Sequence, residues 1–391
     1  MSKNYNNTIH ACFTGYIVQG IVNNFVPLLF LTFQSQYGIP LTDITILITI
    51  NFMLQLGIDL ASTVFVDKIG YRASTLLAHG FAAAGLIMLA VLPEIMDPFL
   101  GLVISVLFYA VGGGLLEVII SPMVEACPSK HKDRTMSMLH SFYCWGSVGV
   151  ILLSTLFFSV FGVQSWRIIA VLWAIVPVVN GIIFTRVPIA TLEENGEKGL
   201  SLKQLFSMKL FWVFLLVMCC SGASELSISQ WASTFAEKAL GVSKAVGDIA
   251  GPTLFAVLMG VSRVIYGKFG EKIDLNKMMI LSSILCVIAY LTVSLSSSPV
   301  IGLAGIAVSG FASGILWPGA YSRAAVSIKG GGTSMFALLA LAGDLGCTSG
   351  PTFAGEIAAA AGDNLKVGIL AATVFPALLA AVLIAMRRRR I

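Results

Sequence analysis

Apolar runs of about 20 residues recur along the chain, separated by short stretches rich in charge, glycine or proline. Coiled as helices, each is long enough to cross a hydrocarbon core about 30 Å thick. Lipid cannot satisfy backbone polar groups, and the runs lack the strict alternation of a barrel strand, so the spans are expected to be α-helices. Reading the runs and the charges that break them predicts twelve spans, at about 9–33, 44–66, 73–93, 98–126, 135–161, 164–186, 210–236, 249–270, 277–297, 299–322, 333–358 and 364–386. The longest hydrophilic stretch carries Glu193, Glu194, Asn195, Gly196 and Glu197 and falls between spans six and seven. The expected organisation is a six-helix bundle over 1–187, a linker over 188–209 and a second six-helix bundle over 210–391.

Composition strengthens this reading. Apolar residues make up 57% of the 391 and charged residues 11%, against about 45–50% and about 25% in soluble domains. The net charge of +5 does not point to nucleic acid, because the basic residues are placed by topology. Lys3, Lys68, Arg72, Lys130, Lys132, Arg134, Arg186, Lys198, Lys203, Lys209, Lys268, Lys272, Lys277, Lys329 and Arg387 to Arg390 fall on the termini and the even-to-odd loops. The opposite loops hold chiefly Lys238, Lys244 and Lys366. The positive-inside rule then predicts a multi-pass protein of the cell membrane, expected to be a bacterial inner membrane, with both termini cytoplasmic. All seven cysteines lie in or beside apolar segments without ligand spacing and read as small hydrophobes. Enzymatic signals are missing: Gly330-Gly331-Gly332-Thr333 lacks the lysine of a phosphate loop, and no metal-ligand spacing occurs. No cofactor and no metal are expected, and the partners expected of a monomer are lipid and a small solute.

The two halves resemble each other. Asp67-Lys68-Ile69-Gly70-Tyr71-Arg72 after span two answers to Gly267-Lys268-Phe269-Gly270-Glu271-Lys272 after span eight, Pro122 to Pro318, and Gly146-Ser147-Val148-Gly149 to Gly343-Asp344-Leu345-Gly346. Such pairs, roughly 200 residues apart, are what two related six-helix halves leave in a sequence. Twelve spans, a central linker and this acidic-basic loop in both halves resemble the major facilitator superfamily, across essentially the whole chain. Thr63 stands where the loop motif of that family has its first glycine. Glu117-Val118-Ile119-Ile120-Ser121-Pro122 and the pair Asn23-Asn24 further resemble the fucose-permease type of sugar symporter, although Phe25-Val26-Pro27 follows the asparagines where that type carries an acid. The resemblance implies a secondary transporter that alternates access by rocking two pseudo-symmetric bundles.

Ionisable groups at membrane depth cost about 2.5–3.5 kcal/mol each on insertion scales, so each needs a reason. Glu117 follows Gly112-Gly113-Gly114, which permits close helix approach. Low dielectric favours the neutral form of a carboxyl, so Glu117 is the leading candidate for a proton carrier. Glu225, in the small polar stretch Ser221 to Ser227, and Asp344 are candidates for coupling or, equally, for helix packing. Asp59 is a candidate sodium ligand or ion-pair partner. Asp67, Lys68, Arg72, Arg263, Glu271 and Lys272 read as gating or structural charges. Gln19, Asn23, Asn24, Asn51, Gln55, His140 and Gln230 offer hydrogen bonds, and Trp145, Trp231 and Trp317 offer flat faces, as a sugar-like solute requires. Trp166 and Trp212 read as interfacial anchors. The expected activity is proton-coupled symport of a small polar solute. Sodium-coupled symport, proton-driven export of drugs or metabolites, and a receptor without turnover remain alternatives.

Overall fold

The computed structural model describes residues 5–192, 199–242, 244–362 and 364–388. The acidic cluster 193–197 of the linker, Lys3, Lys198, Arg389 and Arg390 lie outside the described residues. Within them the order is α1 (Asn6–Asn24), α2 (Phe30–Tyr37), α3 (Leu41–Ile69), α4 (Tyr71–Ile95), α5 (Pro98–Ala126), α6 (Lys132–Phe161), α7 (Trp166–Arg186), α8 (Leu202–Ser207), α9 (Lys209–Ser229), α10 (Ala232–Leu240), α11 (Lys244–Phe269), α12 (Leu275–Leu295), α13 (Pro299–Ser313), α14 (Leu316–Ser327), α15 (Gly332–Ala360), α16 (Leu365–Ala372) and α17 (Val374–Arg388). Eleven helices or helix pairs are long and apolar enough to span a membrane. The remaining predicted span is α15, whose 29 residues are ample for a crossing but are diluted by Asp344, Thr348, Ser349 and several glycines.

Local chemistry sets the helix ends. Asp97 Oδ1 accepts from the Leu100 amide at 2.9 Å ahead of Pro98, and Asp274 Oδ1 accepts from the Lys277 amide at 2.8 Å, so α5 and α12 each begin at a capped turn. Ser201 and Gln204 form a capping box at the start of α8. Gly70, at φ 84°, turns the chain between α3 and α4 in a conformation that excludes side chains at little cost only for glycine.

Four predicted spans are broken rather than continuous. Three breaks lie just ahead of a proline: α1 gives way to a 3-10 turn at Val26–Leu29 containing Pro27, α13 to α14 at Gly314 and Ile315 ahead of Pro318, and α16 to α17 at Thr373 ahead of Pro376. Proline removes the amide that would bond the carbonyl four residues back, which weakens the ladder there. The fourth break, at Gln230 and Trp231 between α9 and α10, has no proline beside it.

The chain forms two compact units. The first comprises residues 1–128, 142–199 and 332–337, and thus α1 to α5, most of α6, α7 and the start of α15. Its α4 and α5 run together through Gly85, Gly101 and Gly112, where a Cβ would collide with Tyr109, Leu92 or Ala82 backbone. The second comprises 129–141, 200–331 and 338–391. In it α9 and α15 meet through Gly222, Gly346 and Gly350 in the same manner.

Candidate functional site

In the first unit the polar residues of α1 converge on α3, α5 and α6. Gln19, 4% exposed, donates through Nε2 to Glu117 Oε2 at 2.6 Å, joining α1 to α5. One turn further along α1, Asn23 Oδ1 accepts from Gln55 Nε2 at 2.9 Å and from Asn51 Nδ2 at 3.4 Å, both on α3. Asn24 Nδ2 donates to Ser147 Oγ on α6 at 3.0 Å and back to the Gly20 carbonyl at 2.9 Å. The glycines ahead of Glu117 make this possible. A Cβ on Gly113 would lie 3.6 Å from Gln55 Nε2 and 3.1 Å from Val22, so α5 approaches both partner helices here without a side chain between. Asp59 on α3 is fully buried, while Trp145 is 37% exposed.

His79 and Asn180 form a separate core network. Asn180 Nδ2 lies 2.8 Å from His79 Nε2 and donates to the Ala11 carbonyl at 3.0 Å, and His79 Nδ1 lies 2.8 Å from the Thr75 carbonyl. An amide donor at Nε2 and a carbonyl at Nδ1 require the neutral ring with its proton on Nδ1. His79 therefore ties α4, α7 and α1 together.

In the second unit the organising residue is Arg263 on α11, 3% exposed. Its Nη2 donates to Glu225 Oε2 on α9 at 3.2 Å, its Nη1 to the His140 carbonyl at 3.0 Å and its Nε to the Gly314 carbonyl at 2.8 Å. The backbone carbonyl of Arg263 accepts from Ser137 Oγ at 2.8 Å. The small residues around Glu225 serve packing: Ser224 and Ser227 bond back to the Cys220 and Ala223 carbonyls, Tyr290 donates to the Ser224 carbonyl, and Gly222 lies against α15. The helix runs unbroken through Glu225 and ends at Ser229. Trp317 is buried over Gly343 and meets Tyr321 edge-on at 6.3 Å, and Tyr321 stacks on His140 at 5.8 Å. Asp344, next to Gly343, is half-buried, and Gln230 is exposed. Trp231 donates through Nε1 to the Pro351 carbonyl at 3.0 Å beside a cavity of about 430 Å³ shared with Thr234, Thr352, Gly355 and Glu356.

Helical spans, two units and partly buried carboxyl groups held in amide and guanidinium networks are joined by a sequence match. The Major Facilitator Superfamily profile matches residues 11–351. The chain belongs to the major facilitator superfamily. It is a multi-pass membrane transporter of that superfamily, which handles small solutes within the membrane. Solved structures of similar fold include the E. coli fucose:proton symporter FucP (TM-score 0.81, 14% identity, all of both chains covered), the proton:xylose symporter XylE bound to 6-bromo-6-deoxy-D-glucose (0.82, 11%, 98% of this chain and 95% of that one) and the human organic anion transporter MFSD10 (0.77, 15%, 98% and 100%). A search of curated protein sequences finds no match.

The superfamily's paired loops carry helix-end contacts in both units. Arg72 donates to the carbonyls of Phe184, Thr185 and Val187 at 2.5–2.9 Å, closing the C-terminus of α7 with a cation. Asp67 and Lys68 beside it are exposed. In the second copy the capping cation comes from elsewhere: Arg134 donates to the Gly267 and Lys268 carbonyls at 3.1 and 2.7 Å and pairs with Glu271, which also meets His131 at 3.0 Å. Lys272 is exposed.

Sequence reading missed several members of these networks. Ser147, Asn180, Arg134 and Tyr321 are not among the candidate site residues that the sequence offers, because the partners that reveal them lie 101 to 181 residues away in the chain. Trp166 corrects an expectation: it is fully buried, bonded through Nε1 to Gln36 Oε1 at 3.0 Å and set edge-on against Phe33, so it fastens α2 to α7 and anchors nothing at a lipid surface. Trp212 is 56% exposed, as an anchor would be.

Proposed function

We propose that this transporter is a proton-coupled symporter for a small, uncharged, hydroxyl-bearing solute of the monosaccharide class, with Glu117 as the proton carrier. The observation that carries this reading is the 2.6 Å bond between Gln19 and Glu117, set one helical turn from the carboxamides of Asn23, Asn51 and Gln55. The amide that holds this carboxyl offers both a donor and an acceptor, so it can bond Glu117 in either protonation state. Glu225 differs: it is bonded to the buried guanidinium of Arg263 at 3.2 Å, an arrangement that suits a structural role. The carboxamides match the hydroxyls of a sugar, and the partly exposed indole of Trp145 in the same unit suits its apolar CH face. The fold shared with FucP and XylE supports the same solute class and ion.

The distribution of basic residues supports a bacterial inner membrane with both termini in the cytoplasm, and a monomer suffices for alternating access. A sodium-coupled version would draw on Asp59, which is fully buried on α3, or on Asp344. The reading is tested by a thermal-shift screen of the purified protein against sugars, nucleosides, organic acids and drugs, at varied pH and sodium. A ligand of the folded state raises its melting temperature by mass action. Monosaccharide hits that strengthen at low pH are expected; hits that need sodium select the sodium-coupled version, and hits confined to lipophilic drugs overturn the sugar assignment.

A further inference from the structure

Gln19 carries a feature that its bond to Glu117 does not explain. Its Nε2 is committed to the carboxyl, while its Oε1 is buried and has no hydrogen-bond partner among the described residues. A buried amide oxygen left unbonded costs free energy. The orientation persists because an ionised carboxylate is an acceptor only and demands the NH2 end; the reverse placement would set two acceptors 2.6 Å apart. Protonation of Glu117 removes that demand. A neutral carboxyl carries an O–H donor, and the stranded Oε1 of Gln19 is the acceptor that satisfies it.

We propose that the Gln19 side-chain amide reverses when Glu117 takes up a proton, so that Gln19 relays the protonation state of Glu117 to the solute as a change of hydrogen-bond polarity. With Glu117 ionised, Gln19 turns an acceptor oxygen away from the carboxyl. With Glu117 protonated, the O–H donates to Oε1 and the NH2 group is released to donate elsewhere. A solute that offers an acceptor oxygen at this point, such as an ether or hydroxyl oxygen of a sugar ring, is bound by the protonated form and loses its donor when the proton leaves. Gln19 is thus a positioning residue for coupling, and the proposal rests on Glu117 being the proton carrier.

The surrounding titratable groups do not supply a simpler switch. Tyr16 on α1 is bonded to Ser121 at 2.8 Å, and His79 on α4 is held between Thr75 and Asn180. Asp59 on α3 and Glu125, two turns along α5, are both buried. Tyr143 and Cys144 stand on α6, and α7 contributes Asn180 to the His79 network. Gln19 combines a bond to Glu117 with a buried atom of opposite polarity that has no hydrogen-bond partner among the described residues.

The test needs no solute. Protein labelled with 15N in glutamine side chains and 13C at the glutamate carboxyl, reconstituted in lipid bilayers, is followed by solid-state NMR from pH 5 to pH 9. The proposal expects the Glu117 carboxyl to titrate, and the Gln19 NH2 signal to shift with the same midpoint while its dipolar coupling to the Glu117 carboxyl carbon weakens at low pH. Glu117→Gln serves to assign the pair and is expected to abolish the pH response of Gln19. A titrating Glu117 beside an unchanging Gln19 signal overturns the relay and leaves the proton-carrier reading intact. A Glu117 carboxyl that does not titrate at all overturns the proton-carrier reading itself.

Discussion

Arg263 Nε donates at 2.8 Å to the carbonyl of Gly314, the carbonyl that Pro318 leaves without its backbone donor. A proline in a helix removes the amide that would serve the residue four positions earlier. Here a buried guanidinium takes its place, and the same group reaches Glu225 and the His140 carbonyl. The break between α13 and α14 and the buried charge on α11 thus stabilise each other.

Removing only one member of that buried pair leaves the other charge without compensation, at a cost of about 3–5 kcal/mol. Arg263→Met is therefore expected to lower the melting temperature sharply in detergent. Arg263→Met combined with Glu225→Gln is expected to regain much of the loss, although the Gly314 carbonyl stays unserved. Equal destabilisation in the single and double variants would show that the pair itself contributes little.

Glycine positions separate into two kinds. A Cβ at Gly346 would overlap the Cys219 carbonyl oxygen and approach the Ala223 amide, and backbone cannot step aside, whereas Gly149 in α6 has nothing within 4 Å of that position. Gly346→Ala is expected to force α9 and α15 apart and to reduce the yield of folded protein. Gly149→Ala is expected to be neutral or to stabilise by up to about 1 kcal/mol through helix propensity. Size-exclusion profiles and melting curves of the two variants check this directly.

The loop after α11 makes an asymmetric prediction. Glu271 is 55% exposed, so its pairing with Arg134 is screened and Glu271→Gln is expected to cost no more than about 1 kcal/mol. Arg134 also serves the Gly267 and Lys268 carbonyls at the end of α11. Arg134→Ala is expected to cost more than Glu271→Gln, because it strips the helix end as well as the ion pair. Identical melting temperatures for the two variants would contradict that assignment.

Much of the architecture is legible in the chain because lipid imposes a simple rule: length and apolarity of a run decide whether it spans. Glu117 could be singled out for the same reason, as a charge with no lipid-compatible excuse. What could not be read is pairing. Gln19 and Glu117 are 98 residues apart, and Arg263 meets residues 38 to 123 positions away, so only the fold brings them together. Continuous apolar runs also hide helix breaks, since Pro27, Pro318 and Pro376 lie just past breaks while Pro122 and Pro177 sit inside unbroken helices. Trp166 was misread because a tryptophan at the end of an apolar run looks the same whether it faces lipid or a partner such as Gln36.

The claim that matters most is that Glu117 carries the coupling proton, and proton movement driven by solute in sealed liposomes tests it most directly. Wild-type protein is expected to alkalinise the medium when a transported monosaccharide, screened first among fucose, xylose and glucose, is added. Glu117→Gln is expected to abolish that signal while still exchanging labelled for unlabelled sugar across the bilayer. Undiminished sugar-driven proton uptake by Glu117→Gln would contradict the account.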